Sequence, residues 1–325
     1  MEVNSKQPLL SICIPTYNRS DVLQQCLHSI VTNKAYNEEL VEIVISDNVS
    51  TDSTQELCMA FAKAHRNVIY HRNDRNIGGD LNFIKVLSLG TGTFLKLNND
   101  YSIFTEEGLK KLLQCIRKYK DEKSLLYFDN FYKGFRTTRI NSLDEMVYQK
   151  GIYMSWIGAY GFWHDDFNKL EDKSRAVKTQ FMQVDWFLRL FVKKNYCVLC
   201  QSEYTVRYPF KAKQGGYNFF QVQVVNFSGM FLPYVNRGIT PKTYHQMLRK
   251  LLNVILQWVV TLVFKKNKDY SYKTDHFIST LFNFYKGYWW FYEDTIIFFV
   301  LYPLRMSYHK MKRLLLVYHH LLVRK

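Results

Sequence analysis

The 325-residue sequence lacks several features that would assign it to a specialised class of protein. It has no uninterrupted run of 18 apolar residues, which a membrane-spanning helix requires. Its first residues do not show the basic and then apolar pattern of a signal peptide. With only 14 glycines and 6 prolines, it does not resemble collagen or a low-complexity chain. We therefore expect a globular protein with neither a transmembrane span nor an export signal.

The six cysteines do not form a disulfide framework or a clear metal site. Cys197 and Cys200 have the separation of a metal-binding pair, but no second such pair and no paired histidines accompany them. A structural zinc site needs four ligands. We interpret both as ordinary cysteines of an apolar segment, and we expect Cys13 to pack as a small apolar side chain. A reduced, cytoplasmic setting is the simplest interpretation.

Acidic residues are scarce relative to basic ones, 28 against 44, which gives a net charge of +16. The excess is concentrated near the C-terminus, where residues 226–325 contain 15 Lys and Arg, 4 Asp and Glu, and 22 of the 54 aromatic residues. This distribution predicts an acidic partner that contacts mainly the last third of the chain. No nucleic-acid-binding motif is present, so an anionic membrane surface is favoured over nucleic acid.

Short apolar segments alternate with segments of helical periodicity in the first 120 residues. Strands are predicted at 9–14, 41–46, 68–71 and 93–97, and helices at about 20–30, 53–64, 81–89 and 105–118. This order predicts an open, parallel α/β sheet. Ligands of such sheets bind beyond the carboxyl ends of the strands, so the polar residues that follow the strands are the candidate site. Ser20 or Asp21 is expected to cap the first helix.

Four motifs at these strand ends carry a resemblance to a known family. They are LSICIPTYNR at 10–19, SDNVSTDST at 46–54, RNDRNIGGDLN at 72–82 and GTFLKLNND at 92–100. In this order and spacing they resemble the family-2 glycosyltransferases, and the second and third are similar to abequosyltransferase-like members that build bacterial surface polysaccharides. The resemblance covers about residues 8–110. It implies a GT-A fold and the transfer of a sugar from a nucleotide-sugar donor to an acceptor hydroxyl.

The resemblance and the composition together predict a division of the chain. Residues 1–220 would form the GT-A domain, with a nucleotide-sugar half at 1–118 and an acceptor half at 119–220. Residues 221–325 would form a mostly helical, membrane-associating region. Its last segment, 310–325, mixes cations and apolar residues at helical spacing, as in helices that lie on a membrane. The alternative is a helical subdomain whose aromatic residues form their own core.

Polar residues at the four strand ends are the candidates for donor binding. Asp47 would accept hydrogen bonds from the base or the ribose, and it could also cap the following helix. Gly78 would allow the backbone to approach the nucleotide closely. The resemblance implies the following nucleotide-sugar set: Pro15, Thr16, Tyr17, Asn18, Asp47, Asn48, Arg72, Asn76, Gly78, Asn82, Asn98, Asn99 and Asp100.

A departing diphosphate needs its negative charge neutralised, and the family usually holds a divalent cation with an Asp-x-Asp motif. The matching residues here are Asn98-Asn99-Asp100, so Asp100 is the predicted ligand of Mg²⁺ or Mn²⁺, with phosphate oxygens and water completing the coordination. Arg207, Lys211 and Lys213 of a later basic loop are expected to add positive charge near the diphosphate. A solvated basic surface is the alternative for that loop.

An inverting transfer requires a base close to the acceptor hydroxyl. In the family this base is usually an acid at the start of a helix well after the metal motif, and Asp185 matches that position. Arg189 lies one turn later on the same face and could pair with Asp185 or bind phosphate, and an ordinary helix acid paired with Arg189 is the alternative for Asp185. The segment His164-Asp165-Asp166 is the competing candidate.

The resulting expectation is an inverting glycosyltransferase, peripheral on the cytoplasmic face of the plasma membrane. It would extend a polyprenyl-linked glycan such as an O-antigen or capsule unit. Because Asn98 replaces the first acid of the motif, a catalytically inactive scaffold or assembly subunit stays open as an alternative. A nucleotidyltransferase is disfavoured, since no glycine-rich loop with Arg or Lys follows the first strand.

Overall fold

The structure, a computed structural model, describes residues 7–207 and 214–302. The chain forms two compact units. Within the described residues, the first unit comprises 7–207 and 229–244, and the second comprises 214–228 and 245–302. Lys211, Lys213 and the predicted interfacial segment 310–325 lie outside the described residues.

The first unit is an α/β structure in which strands and helices alternate over most of its length. Its strands are β1 (Leu10–Thr16), β2 (Val41–Asp47), β3 (Val68–Arg72), β4 (Phe94–Leu97), β5 (Ser102–Phe104), β6 (Leu126–Asp129), β7 (Phe135–Ile140), β8 (Gly161–Trp163), β9 (Cys197–Ser202) and β10 (Thr205–Arg207). Its helices are α1 (Ser20–Val31), α2 (Thr54–Ala64), α3 (Gly79–Leu89), α4 (Gly108–Lys118), α5 (Leu143–Lys150), α6 (His164–Asn168) and α7 (Met182–Lys194). The 3-10 turns Gly151–Ser155 and Ile157–Ala159 precede β8.

The central sheet has the strand order β3-β2-β1-β4-β8. Its first four strands are parallel, and β8 is antiparallel to β4. Thr16 lies opposite Asp47, and Asp47 lies opposite Arg72, so the ends of β1, β2 and β3 are level. The predicted parallel α/β sheet is therefore confirmed, and the polar residues that follow its strands share one edge.

The strands β1, β2 and β4 are mostly apolar runs because they are buried on both faces of the sheet, whereas the edge strand β3 has only Val68 buried. Every residue of β2 is buried, and in β1 only Pro15 is partly exposed. Cys13 is fully buried, as expected of a small apolar side chain. All six cysteines are buried and none forms a disulfide.

The start of helix α1 differs from the prediction. The residue at the N-cap is Arg19, and neither Ser20 nor Asp21 caps the helix with its side chain. Instead, a carboxylate oxygen of Asp52, from the loop after β2, accepts a hydrogen bond from the Ser20 backbone N–H at 3.0 Å. A side chain more than 30 residues away thus satisfies an N–H group that local capping would otherwise serve.

The second half of the first unit contains a smaller sheet of order β6-β9-β7 and a short pair of β5 and β10. The segment 151–160 joins it to the central sheet. The Leu97 N–H donates to the Tyr160 carbonyl at 3.0 Å, and Lys96 Nζ donates to the Gly158 carbonyl at 2.6 Å. These bonds place the segment beside the carboxyl end of β4.

Residues 229–244 belong to the first unit, although the sequence predicted a single boundary at residue 220. The Asp144 carboxylate explains this, because it accepts hydrogen bonds from the Thr240 N–H at 2.6 Å and the Thr243 hydroxyl at 2.9 Å. The helix Pro241–Trp258 begins here, and its residues from His245 onward belong to the second unit.

The second unit is mostly helical, as predicted. Its elements are strands β11 (Gln214–Asn218) and β12 (Tyr270–Lys273), the π-helical segments Gln221–Asn226 and Val259–Phe264, the helix Phe277–Tyr285 and a helical stretch at 289–302. Part of its aromatic content forms an internal cluster, in which Trp258 contacts Phe219 and Tyr270 with ring centroids 5.0 and 5.1 Å apart. Within the described residues, one helical stretch, Pro241–Phe264, is long and apolar enough to cross a membrane, and half of its most apolar window is buried in the protein.

Candidate active site

The carboxyl ends of the first four strands meet, and backbone hydrogen bonds join the residues that follow them. The Asn48 N–H donates to the Thr16 carbonyl at 3.0 Å, and the Asn73 N–H donates to the Asp47 carbonyl at 2.9 Å. The Thr16 hydroxyl in turn donates to Asp100 Oδ2 at 3.1 Å. The structure therefore gathers the four predicted motifs at one polar edge.

Asp47 is fully buried and its carboxylate is saturated by protein donors. Its Oδ2 accepts from Arg72 Nη1 at 2.7 Å and from the Tyr70 hydroxyl at 3.0 Å. Its Oδ1 accepts from the Ser50 N–H at 2.9 Å and the Ser50 hydroxyl at 2.6 Å. Asp47 and Arg72 thus fix the conformation of the loop after β2. The pair forms a rigid part of the polar edge.

A network of asparagine amides fixes the loop between β3 and α3. Asn48 Nδ2 donates to Asn76 Oδ1 at 2.8 Å, and Asn48 Oδ1 accepts from the Ile77 N–H at 2.9 Å. Asn82 Oδ1 accepts from the Ser46 hydroxyl at 2.7 Å and from Asn73 Nδ2 at 3.0 Å. This network holds the third motif against the second with rigid, uncharged donors and acceptors.

Gly78 and Tyr17 lie on the open side of this edge. Gly78 has φ +82°, and a Cβ atom placed on it would meet no atom within 4 Å. The positive φ therefore requires glycine at position 78, while the space beside this residue is open to solvent. Tyr17 is 46% exposed and the preceding Pro15 is partly buried. Asn18 has φ +52°, and its Oδ1 accepts from the Thr51 N–H at 2.6 Å, which ties the first motif to the second.

Asp100 is buried and bound by protein groups on both oxygens. Arg19 Nη1 donates to its Oδ1 at 2.9 Å and the Thr16 hydroxyl bonds its Oδ2. Burial raises the pKa of Asp100, and the neighbouring Arg19 guanidinium acts in the opposite direction. No group of three or more His, Cys, Asp or Glu residues that could hold a metal ion occurs among the residues that the structure describes. One carboxylate already paired with a guanidinium does not fit a preformed divalent-cation site.

The other two residues of this motif have different surroundings. Asn98 is buried, and its Nδ2 donates to Cys26 Sγ at 3.4 Å and to the Asn99 carbonyl at 3.0 Å, so its amide faces helix α1. Asn99 Nδ2 is buried and has no hydrogen-bond partner in the described structure. The backbone of Arg207 pairs with Ser102, two residues after Asp100. This register brings the start of the predicted basic loop to the same edge.

Asp185 lies in the first turn of α7, where the sequence predicted a base. It is buried, and its Oδ1 accepts from Arg175 Nε at 2.9 Å and Nη2 at 2.6 Å. Arg189 Nη1 lies 3.4 Å from Oδ2, so the helix ion pair that was the alternative to a base is present as a long contact. Because Arg175 bonds only Oδ1 and the Arg189 contact is long, Oδ2 retains capacity to accept a further hydrogen bond.

The competing acidic segment lies at the other edge of the sheet. The His164 N–H donates to the carbonyl of Thr93, the residue before β4, whereas Asp100 follows the end of β4. Asp165 is half exposed and pairs with Lys123 at 2.5 Å. Asp166 pairs with Lys194 at 2.8 Å. The structure therefore separates this segment from the four motifs.

Three residues of the site were not predicted from the sequence: Arg19, Arg175 and Asp80. Asp80 is the most informative, because its Oδ2 accepts from the backbone N–H groups of Lys178 at 2.7 Å and Gln180 at 3.2 Å. It thereby fixes the segment before α7 to the first turn of α3. Burial raises the pKa of Asp80, and its Oδ1 has no partner within the described residues. The charged residue directly after the glycine pair was the sequence signal for it.

Comparison with curated proteins points to one family. The family model described as glycosyl transferase family 2 matches residues 11–192. Over 120 residues the chain is 35% identical to the abequosyltransferase RfbV of Salmonella typhimurium, covering 37% of this chain and 34% of that protein. Over 150 residues it is 30% identical to a PGL/p-HBAD biosynthesis glycosyltransferase of Mycobacterium tuberculosis, covering 45% of this chain and 56% of that protein. The chain thus spans between about a third and just over half of these relatives' length.

Solved structures show the same fold at low sequence identity. The structure of S. aureus TarS 1–349 in complex with UDP-GlcNAc has a TM-score of 0.57 and 16% identity, and the match covers 85% of this chain and 80% of that one. The mannosyltransferase PcManGT from Pyrobaculum calidifontis, in complex with GDP-Man and Mn²⁺, has a TM-score of 0.51 and 14% identity, with 79% and 76% covered. Because the family model covers more than half of the chain, the protein belongs to glycosyl transferase family 2, and it has the GT-A fold.

Proposed function

We propose that this protein is an inverting glycosyltransferase that moves a sugar from a nucleotide-sugar to a hydroxyl of a glycan acceptor. The observation that carries the proposal is the convergence of four motifs at the carboxyl ends of β1 to β4, with buried, paired charges at Asp47 and Asp100. One relative is named as an abequosyltransferase, and one structural neighbour was solved in complex with the nucleotide-sugar UDP-GlcNAc. Both support sugar transfer from a nucleotide-sugar as the reaction class.

The donor would lie along this polar edge. The exposed ring of Tyr17 and the open space at Gly78 flank the position of the nucleoside, and the asparagine network keeps the third motif rigid beneath it. Arg19, which bonds Asp100, would supply positive charge to the diphosphate as it departs. Arg207 and Lys211 are proposed to add further charge there.

A divalent cation, Mg²⁺ or Mn²⁺, was expected at Asp100. A cation can use this carboxylate only after Arg19 has moved away, because the guanidinium already neutralises it. We therefore propose that Arg19 neutralises the charge of the departing diphosphate. The experiment below measures whether nucleotide binding depends on Mg²⁺ or Mn²⁺. The neighbour crystallised with Mn²⁺ shows that a protein of this fold can hold such an ion.

Asp185 is the proposed base. Arg175 fixes one carboxylate oxygen and leaves the other able to accept the proton of the acceptor hydroxyl. The deprotonated oxygen would attack the anomeric carbon from the face opposite the diphosphate, the C–O bond to the diphosphate would break, and the configuration would invert.

The acceptor is proposed to be a polyprenyl-linked glycan of a bacterial surface polysaccharide, such as an O-antigen or capsule unit, and the protein to be peripheral on the cytoplasmic face of the plasma membrane. The similarity to an abequosyltransferase supports the class of product. Exposed apolar side chains in the second unit support the membrane partner, among them Phe264, Ile278, Trp289, Ile296 and Val300. Lys265 and Lys266, both exposed, follow Phe264 directly.

A catalytically inactive scaffold is the second candidate. It is favoured by one observation, namely that Asn98 faces Cys26 rather than the open edge and leaves Asp100 as the single acid of the motif. Such a protein would bind a nucleotide without turning over a nucleotide-sugar.

The deciding experiment is a thermal-shift screen of the full-length protein with UDP, GDP, CDP and dTDP, each with EDTA, Mg²⁺ or Mn²⁺. Stabilisation by one nucleotide supports the transferase and identifies the donor class. A dependence on the cation assigns metal binding to Asp100, whereas stabilisation in EDTA assigns the charge to Arg19. Binding without hydrolysis or transfer of the matching nucleotide-sugar favours the scaffold. No response from folded protein contradicts the transferase and makes the scaffold the leading candidate.

A further inference from the structure

An exposed aromatic cluster occupies the same edge of the first unit as the four motifs. Phe131 is 72% exposed and Tyr153 is 52% exposed, and the ring of Phe131 lies 6.0 Å from both Tyr153 and Trp156, measured between centroids. Large apolar side chains are rarely left in contact with water as a group without a partner. We call these three residues the aromatic platform.

The strand directions fix the position of the platform. Tyr127 of β6 pairs with Tyr160 in an antiparallel bridge, and the strand that follows Tyr160, β8, is antiparallel to β4. β6 therefore runs in the same direction as β4. Phe131 follows the carboxyl end of β6, just as Asp100 follows the carboxyl end of β4. The platform consequently lies on the side of the sheet where the donor is proposed to bind.

The turn that carries the platform is joined to both halves of the proposed site. On one side, Lys96 Nζ of β4 donates to the Gly158 carbonyl at 2.6 Å. On the other side, Gln183 Nε2 of α7 lies 3.4 Å from the Ser155 carbonyl, and Asp185 is two residues further along that helix. Trp156 lies between Ser155 and Gly158. The platform is thus placed between the strand that leads to Asp100 and the helix that carries Asp185.

Hydrogen bonds from buried side chains fix the backbone of the turn that carries Tyr153 and Trp156. Buried tyrosine hydroxyls hold the turn from below, since Tyr160 donates to the Met154 carbonyl at 2.6 Å and Tyr127 donates to the Tyr153 carbonyl at 3.2 Å. The indole ring of Trp156 lies against Gly158, where an added Cβ atom would come within 2.3 Å of Cζ2 of the ring. The backbone of the turn and the indole ring of Trp156 are therefore held in place by the protein before any ligand arrives, which lowers the entropic cost of binding.

We propose that the aromatic platform is the binding surface for a pyranose ring of the acceptor glycan. The C–H face of a pyranose is apolar and packs on an aromatic ring, while its hydroxyls stay at the polar margin. The partly exposed Lys150, which pairs at 2.5 Å with the buried Asp129 at the end of β6, provides such a polar margin near Phe131. This inference rests on the proposed function, because it assigns the acceptor side of the same site.

The test uses saturation-transfer NMR on the full-length protein with a panel of methyl pyranosides of glucose, galactose, mannose, rhamnose and N-acetylglucosamine. We expect ring C–H signals from at least one sugar, reduced fivefold or more in Trp156→Ala and Tyr153→Ala. Trp156→Phe keeps an aromatic ring and should restore part of the signal. The matched control is Tyr148→Ala, because Tyr148 on α5 is 53% exposed, as Tyr153 is, and lies outside the cluster.

Nucleotide stabilisation, measured on the same variants, separates this inference from the proposed function. Sugar signals that depend on Trp156, with nucleotide binding unchanged, support the platform. The inference is overturned if the sugar signals are absent, or if they are equal in Trp156→Ala and wild type. It is also overturned if the Trp156→Ala substitution changes only the binding of lipid vesicles. A wild-type protein that binds no nucleotide contradicts the proposed function whatever the sugar signals show.

Discussion

Paired charges define the site at the scale of single residues. Asp47, Asp100 and Asp185 are all buried, and each has an arginine within 3 Å: Arg72, Arg19 and Arg175. A buried carboxylate without such a partner would be strongly unfavourable. Each pair therefore fixes the position of its carboxyl group, and each arginine becomes available if a negatively charged ligand displaces that group.

Replacing Asp185 by Asn should reduce transfer by about a hundredfold or more, since an amide cannot accept the acceptor's proton. Nucleotide binding should be unchanged, because Asp185 lies outside the four donor motifs. Steady-state turnover and the nucleotide-induced thermal shift measure the two quantities.

Asp165→Asn is the matched control, because Asp165 is an exposed aspartate near the opposite edge of the sheet. Turnover of this control should stay within about twofold of wild type, on the expectation that exposed ion pairs contribute little. Full turnover in Asp185→Asn would remove Asp185 from the mechanism.

Lys96 should make stability depend on pH. It is buried, and burial lowers its pKa to about 7. Between pH 7 and its unfolded value of 10.5, the unfolded chain binds a proton that the folded chain does not, so the free energy of unfolding should rise with pH. From pH 7.5 to 9.0 the rise from this group should be roughly 1 to 2 kcal/mol.

Urea unfolding of wild type and Lys96→Met at both pH values measures this rise. The methionine variant should lack it, whatever its overall loss of stability from the two carbonyls that Lys96 bonds. Burial raises the pKa of Cys13, a neighbour of Lys96, far above its usual value, so this thiol stays neutral throughout. An equal rise in both proteins would show that other groups cause it.

At the scale of elements, the sequence was sufficient to predict strand positions where the strands are buried along most of their length. The strands β1, β2 and β4 are mostly apolar runs between turn residues, so their positions could be predicted, as could the short strand β3, the parallel direction of all four and their common polar edge. β7 could not, because its sequence FRTTRI has one buried residue and no apolar alternation. It is a strand because its backbone pairs with β9, a contact between segments about 60 residues apart.

In the candidate site, too, only the contacts that are local in sequence could be predicted. The pairing of Asp185 with Arg189 follows from helix geometry and was predicted from the spacing. The stronger pairing with Arg175 depends on the path of an irregular segment, which no local pattern gives. Asp80 bonds residues about 100 positions away, and only the fold brings them together. Long-range contacts of loops are therefore the part that sequence patterns leave out.

Asp80→Ala should loosen the segment before α7. The N–H groups of Lys178 and Gln180, whose hydrogen bonds are partly buried, would lose their acceptor, and each such loss costs about 1 kcal/mol. Amide exchange at these positions, and tryptic cleavage after Lys178, should become at least about tenfold faster. Lys178 and Gln180 both have positive φ, so the segment has a further reason to relax when it is released.

Asp80→Asn should rescue this effect, because its side-chain carbonyl can accept both bonds that a single oxygen of Asp80 accepts. Asp74→Ala serves as the control, since Asp74 is an exposed carboxylate of the neighbouring loop. Exchange rates that are equal in Asp80→Ala and wild type would show that the packing of the segment, and not this carboxylate, holds it in place.

At the scale of the whole molecule, the two units differ in what they leave exposed. Positive charge is concentrated in residues 226–325, which carry 15 basic and 4 acidic residues, whereas residues 1–225 carry 29 and 24. The aromatic cluster around Trp258 gives the second unit a core of its own, which supports the alternative of a helical subdomain for these residues. Exposed side chains such as Trp289, Ile296 and Val300 are not part of that core.

The full-length protein should therefore bind vesicles that contain anionic lipid, and this binding should weaken with salt as the charges are screened. Val300→Ser should weaken binding by roughly tenfold, because burying a valine in an apolar phase contributes about 1.5 kcal/mol or more. Val192→Ser is the matched control, since Val192 is an exposed valine of the first unit. Vesicle co-sedimentation measures all three proteins. Equal binding of the two variants would place the membrane contact elsewhere, and binding that ignores lipid charge would contradict the role proposed for the lysines that follow Phe264.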